Sequence, residues 1–381
     1  MNNISKKKLF LIILLTSILT FLATILLMGF AVAKMDVKLD DAARFLGTYK
    51  MIRNRYVNET DGTKLFDGAI SGMVKSLGDP HSIYLEPRMY NELLNQTAGS
   101  FGGIGVYMGF KDNKVTVVSV MDDTPAKAAG VMANDEILAV DDVPITEIEP
   151  EEVVMKIRGE VGTPVKLKLK SKDGEEREVS IVRDNIKVKS VQGKMLEDGI
   201  AYIRISNFGE HTAEEFGEIY KKMEEEGMKK LVLDLRQNPG GLINTSVAVA
   251  NYLIPKGNIV TVKGRDGKLE EYNSDLEAVK YPLAVLVDGN SASASEILAG
   301  AVKDTKAGTL VGAKTFGKGS VQVVLPIMHN DAVKLTIAKY YTPSGECIDG
   351  VGIEPDVEIN FQEGDTEDVQ LKKALEVLKD K

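Results

Sequence analysis

A single cysteine, Cys347, stands in 381 residues, so the chain can close no disulfide within itself and build no cysteine-rich metal centre. Its thiol reads as a small hydrophobe rather than a nucleophile. Histidine is almost as scarce: His81, His211 and His329 are the only three, and none lies near the hydroxyl-rich stretch described below. Basic residues number 47 against 56 acidic, a formal charge of -9, and no lysine–arginine cluster is interleaved with aromatics. That balance argues against a nucleic-acid partner. Walker spacing, a G-x-S-x-G elbow, internal repeats and long low-complexity linkers are also lacking. No cofactor and no metal are expected.

What is present centres on Tyr281 to Gln322, YPLAVLVDGNSASASEILAGAVKDTKAGTLVGAKTFGKGSVQ. The apolar run from Leu283 to Val287 has the length and β-branched content of a buried strand. Asp288, Gly289 and Asn290 turn the chain, and Ser291, Ser293 and Ser295 then alternate with alanines before the apolar-periodic segment 297–302. Small hydroxyl residues thus fall where a helix start leaves backbone N–H groups unpaired. A strand over 309–311 leads to a lysine between two glycines, Gly317-Lys318-Gly319, and a further strand over 321–325 carries Gln322.

A serine nucleophile needs a base. With histidine absent from this stretch, Lys318 is the candidate, provided its surroundings are dry enough to depress its pKa below about 10.4. A Ser–Lys pair is a known variant of the triad. Bland readings exist for each half. A small-residue run before a helix also serves packing, and a lysine between glycines is often a solvated loop charge.

Together, SASASEILAG and KTFGKGSVQ resemble the C-terminal processing peptidases, tail-specific serine proteases with a Ser–Lys dyad. The resemblance implies Ser293 as nucleophile, Lys318, 25 residues on, as general base, and Gln322, four residues further, as the group orienting it. It also brings in Asp304, eleven residues past the serine, which has a plain surface reading beside Lys303 and Lys306. The Asn238-Pro239-Gly240-Gly241 turn is implied to lend an N–H to an oxyanion hole, from Gly240 or Gly241, with the Ala294 N–H as the second donor. An amide pair beside a helix N-terminus suits that task.

Residues 1–35 read as a targeting element: Lys6, Lys7 and Lys8 precede 25 uncharged, mostly apolar residues from Leu9 to Ala33. At about 1.5 Å per residue this exceeds a ~30 Å hydrocarbon core. The basic flank places the tail in the cytoplasm and the working part outside, as a single-pass anchor in the cell membrane. Ala31-Val32-Ala33 offers the alternative of a cleaved signal and a secreted product.

Residues 36–96 read as a helical arm, with stripes at Phe45, Tyr49, Ile52 and Tyr56 and at Leu65, Ala69, Met73 and Leu77. DGAISGMVKSLGDPHSIYL resembles the family's N-terminal region, which in relatives helps dimerisation; His81 departs from the commoner aromatic. Residues 97–184 resemble a PDZ domain. Its loop Ser100-Phe101-Gly102-Gly103-Ile104-Gly105-Val106 is implied to bind a peptide's terminal carboxylate, so protein or peptide tails are the expected partners. Residues 185–360 form the protease core and 361–381 a charged tail with a helix over 369–378.

The expected fold is therefore mixed α/β: a mixed β-sheet protease core flanked by helices, an inserted PDZ domain and an N-terminal helical arm. The expected function is a membrane-anchored serine endopeptidase acting near C-termini, with a homodimer and an activating partner protein as further expectations. A catalytically silent PDZ adaptor and a small-ester hydrolase are the other two classes.

Overall fold

A computed structural model describes residues 6–34, 38–111, 114–148, 150–362 and 366–379. The chain divides into a unit ending at Gly78 and a second beginning at Asp79. In the first, the helix Lys6–Lys34 contains one span, Lys7–Thr24, long and apolar enough to cross a membrane, with no part of it buried. Leu39–Arg55 and Gly62–Lys75 follow as a helical pair. Phe66 joins them, its ring 6.1 Å from Phe45 and 5.0 Å from Tyr49. Asp61 caps the second helix, its carboxylate accepting from the Thr63 N–H at 2.8 Å.

The second unit is built on two sheets and an excursion. The main sheet orders Val191–Met195, Ile200–Ile205, Lys230–Asp234, Leu283–Val287, Thr309–Gly312 and Val357–Glu358; only the first pairing is antiparallel. Continuous apolar strands such as Leu283–Val287, buried at all five positions, suit a parallel sheet covered on both faces. The largest core contains Phe216 and Tyr220 of the helix Thr212–Glu225, Val249 of Ile243–Ala250, and Ile297 and Leu298 of Ala294–Thr305. A second core sets Ala374 and Leu378 of the helix Val369–Lys379 against Val232, Leu286 and Val311.

The second sheet orders Ile83–Leu85, Ala332–Tyr341, Gly257–Gly264 and Leu269–Ser274, with Ser320–Pro326 also paired to Ala332–Tyr341. Ile83–Leu85 belongs to the stretch read as a wholly helical arm; its apolar side chains are drawn into this sheet, with Tyr84 and Leu85 buried. The chain then leaves on an excursion. Ser100–Gly103 pairs antiparallel with Asp184–Lys187, and between them lies a sheet ordered Val106–Lys111, Lys114–Val120, Glu136–Val140, Pro164–Lys170 and Glu176–Val182. Its core includes Val117, Ile137, Leu167 and Leu169, with Val153 and Ile157 from the helix Pro150–Ile157. Among the described residues, Val106–Lys111 pairs on one side only, which leaves an open sheet edge.

The tail helix is fastened by charge as well as by packing. Asp234, fully buried, accepts from the Tyr202 hydroxyl at 2.6 Å and from Arg236, whose guanidinium also reaches Asp368 through two contacts of 2.8 Å. Burial works against the charge of Asp368, but the hydrogen bonds from Arg236 and from backbone amides outweigh it and lower its pKa. Arg236→Ala leaves the Asp234 carboxylate without its counter-ion, so a loss of about 3–5 kcal/mol is expected in denaturant unfolding. A loss under about 1 kcal/mol would mean that the pair holds little.

Candidate active site

The strand Leu283–Val287 delivers the chain to a turn in which the three serines take different tasks. Ser291 and Ser295 are fully buried and their hydroxyls donate to backbone carbonyls, Ser291 to Leu235 at 2.9 Å and Ser295 to Asn238 at 3.0 Å. They tie the serine turn to the neighbouring strand-to-helix turn. Ser293 is half-buried, and among the described residues its hydroxyl donates to no carbonyl or carboxylate. Its backbone stands at φ 54° and ψ -114°, outside the regions a serine favours. Strain of this kind persists only where the surroundings enforce it.

Glu296 is what enforces it. Fully buried in the first turn of Ala294–Thr305, its carboxylate accepts from the Ser293 N–H at 2.9 Å, the Thr315 hydroxyl at 2.6 Å, the Gly317 N–H at 2.7 Å and the Lys318 N–H at 2.8 Å. One carboxylate therefore holds the backbone of both Ser293 and Lys318. The Tyr340 hydroxyl does the same from the other side, lying 3.1 Å from the Ser293 carbonyl and 2.5 Å from that of Lys318. Burial pushes the Tyr340 phenol well above its ordinary pKa, so it remains a donor.

Lys318 is half-buried. Burial, and then repulsion from Lys334, lower its pKa, against weaker attraction from Asp79 and Glu296. Among the described residues its ammonium makes no ion pair or hydrogen bond, and none joins it to Ser293 Oγ. Glu296 brings the backbones of the two residues together, with no hydrogen bond between their side chains.

The remaining expected site residues divide. Gln322 lies on the strand Ser320–Pro326 that follows Lys318, but its amide donates to the Ser320 hydroxyl at 2.9 Å and the Thr336 hydroxyl at 3.1 Å rather than meeting the lysine. Asp304 is not brought to the others: eleven residues down the helix is about 16 Å, and its carboxylate accepts from the Ser344 N–H at 2.9 Å. Gly240 differs from expectation too. Its N–H already donates to Asn238 Oδ1 at 2.9 Å, so it is not free to meet an oxyanion. What Gly240 provides is room, since a Cβ there would sit 2.8 Å from the Ser293 Cβ, at φ +101°. Among the described residues the Gly241 and Ala294 N–H groups carry no hydrogen bond.

The PDZ-like loop is also corrected. Phe101, Gly102 and Gly103 are extended and paired with 184–186, and a Cβ on Gly102 would come within 2.0 Å of the Gly159 carbonyl. Those glycines serve close backbone packing. The Phe101 ring lies under the Arg158 guanidinium at 4.1 Å. Only Ile104, Gly105 and Val106 form the turn into the open edge strand, Gly105 at φ +83°. Its carbonyl accepts from the Met121 N–H at 2.9 Å.

Glu296 and Tyr340 escaped the sequence reading. Glu296 had a signal, since S-x-x-E before an apolar run is a helix-start pattern. Tyr340 had none, because its contacts are far away in the chain.

A strained, half-buried serine at a helix start, a half-buried lysine and two unpartnered amides make up the build of a serine-type hydrolase. The chain matches peptidase family S41 over residues 199–359, a PDZ domain over 102–182, and the N-terminal domain of the activating protease CtpB over 31–88. It is 41% identical over 329 residues to a carboxy-terminal-processing protease of Bartonella bacilliformis, covering 83% of this chain and 74% of the relative. To carboxy-terminal processing protease CtpA of Bacillus subtilis it is 36% identical over 359 residues, covering 92% and 76%. Among solved structures it resembles the photosystem II D1 C-terminal processing protease, at 28% identity and a TM-score of 0.51 over 90% of this chain and 98% of that one. The chain belongs to the carboxy-terminal processing proteases of family S41, serine-type peptidases that carry a PDZ domain.

Replacing Glu296 by Ala strands three backbone N–H groups and a hydroxyl. A loss of about 3 kcal/mol or more is expected in unfolding, and cleavage should fall even where the variant is folded. A folded Glu296→Ala with parental cleavage would contradict the clamp.

Proposed function

We propose that the protein cleaves peptide bonds near protein C-termini with Ser293 as nucleophile and Lys318 as general base. The observation that carries this reading is the division of labour among the serines. Ser291 and Ser295 have their hydroxyls committed to carbonyls, while Ser293 stands partly exposed, its backbone clamped with that of Lys318. In the reading, neutral Lys318 Nζ takes the Ser293 proton as Oγ attacks the scissile carbonyl carbon. The oxyanion receives the Gly241 and Ala294 N–H groups, which are oriented before charge develops. Collapse expels the amine, protonated by Lys318, and water attacks the acyl-enzyme with the lysine again as base.

Lys318, which makes no hydrogen bond to Ser293, would swing toward it for the first proton transfer, and Gln322, held by Ser320 and Thr336, would orient it on the way. An activating partner fits such a resting state. Substrate tails would add as a strand along Val106–Lys111, the open edge of the PDZ sheet. The helix Lys6–Lys34 would anchor the chain in the cytoplasmic membrane with the rest outside, and the arm 36–96 would serve a homodimer.

The test is cleavage of an unstructured protein by the full-length chain in detergent, with fragments read by mass spectrometry. Ser293→Ala and Lys318→Ala should each lower the rate by about a thousandfold or more, while Asp304→Ala should keep most of it. Undiminished cleavage by Lys318→Ala would overturn the dyad.

A further inference from the structure

One edge of the strand Ala332–Tyr341 is shared by two partners. Ile83–Leu85 pairs with 332–334 and the end of Gly257–Gly264 with 338–341, while Ser320–Pro326 runs along the other edge. Where the first two part, a cleft of about 330 Å³ opens. Lys263, Gly264 and Arg265 line it from the end of one strand, and Ile337, Lys339 and Tyr341 from the other.

Three of these six residues are cations. Lys339 is paired with Asp349 at 2.8 Å. Lys263 and Arg265 are exposed, and among the described residues their side chains make no ion pair or hydrogen bond. Asp266, next along the chain, accepts from the Lys268 N–H at 3.0 Å and forms no ion pair with Arg265. In a chain of net charge -9, acidic partners are plentiful, yet these two cations have none. Beside them Ile337 leaves 48% of its surface in water.

The cleft adjoins the candidate active site through printed contacts of the sheet. Lys339 is paired across from Ser320, two residues past Lys318. Its ion partner Asp349 also accepts from the Gly319 N–H at 3.2 Å. Thr336, at the cleft floor, accepts from the Gln322 amide at 3.1 Å. A ladder spacing of about 5 Å and a rise of about 3.4 Å per residue put the Lys339 backbone within about 12 Å of that of Lys318. An extended peptide covers that distance in about three or four residues.

We propose that this cleft is a substrate subsite for an acidic side chain, Asp or Glu, about three or four residues from the scissile bond. The inference rests on the peptidase reading with Ser293 and Lys318 at its centre. The Arg265 guanidinium offers a carboxylate two parallel N–H groups, and Lys263 adds a point charge. Ile337 and Tyr341 cover the methylene stem of the acidic residue, removing apolar surface from water. The terminal carboxylate is left to the open edge of the PDZ sheet, so the cleft reads sequence within the tail rather than its end. Because both cations are exposed, the contact weakens as salt is added.

The experiment gives the full-length chain in detergent a labelled unstructured peptide with one Glu, placed in turn at each position near the cut. Counterparts carry Gln or Lys in its place, or an amidated C-terminus. We would read kcat and KM for the parent, for Lys263→Gln combined with Arg265→Gln, for Arg265→Glu and for Lys318→Ala. Fluorescence anisotropy with the same cleft substitutions in a Ser293→Ala background reads binding without cleavage. The parent should show a severalfold lower KM for Glu than for Gln, largest with Glu about three or four residues from the cut. The double variant should treat the two peptides alike, and Arg265→Glu should favour the Lys peptide. Equal KM for Glu and Gln in the parent, or a preference that survives the double variant, would overturn the inference. So would an amidation penalty that disappears in the double variant, since the cleft would then hold the peptide terminus. Parental cleavage by Lys318→Ala would remove the dyad alone, and the anisotropy would still decide the cleft.

Discussion

One buried carboxylate holds the catalytic architecture together. Glu296 sits in the dry first turn of an apolar helix, where an ionised acid survives only if its oxygens are fully used. Its four donors come from two segments more than twenty residues apart, and they include the backbone of both Ser293 and Lys318. The strained φ of Ser293 follows from this grip, as does the approach of the Gly317–Lys318 backbone to the helix. The Tyr340 hydroxyl closes the clamp from the second sheet. Ser293 and Lys318, the proposed nucleophile and base, are therefore set by backbone contacts.

The rest of the fold serves that arrangement. The parallel main sheet supplies the serine turn and the turn at Gly240 and Gly241, tied to each other through Asn238. The antiparallel second sheet supplies Gln322, Thr336, Lys334 and Tyr340. It also takes in Ile83–Leu85 before the PDZ excursion begins, so the segment ahead of the PDZ domain is stitched to that sheet, with the Ser82 hydroxyl accepting from the Thr336 N–H. The excursion is closed by its own two-stranded stalk, Ser100–Gly103 with Asp184–Lys187.

The parts legible in the sequence were those whose signal is local. The buried strand before the serines, the glycine-flanked lysine and the alternating strands of the PDZ domain can be read from a dozen residues each. Ser293, Lys318 and Gln322 stand on such short motifs. Tyr340 was hidden because its contacts cross large sequence separations, as was the bridge from Arg236 to Asp368. Two glycine readings failed for one reason: a glycine marks close backbone approach without saying to what. Gly102 approaches Gly159, and Gly240 approaches Ser293 while its own N–H is held by Asn238. Asp304 was carried by motif spacing alone, and the helix takes it toward Ser344.

The proposed mechanism needs Lys318 as a neutral amine within reach of Ser293. Its ionisation can be followed directly by NMR of the labelled lysine side chains, with the Lys318 signal assigned by its loss in Lys318→Arg. Burial and the neighbouring Lys334 predict a midpoint below the ordinary lysine value of about 10.4. A midpoint at or above that value would leave the serine without a base and contradict the account.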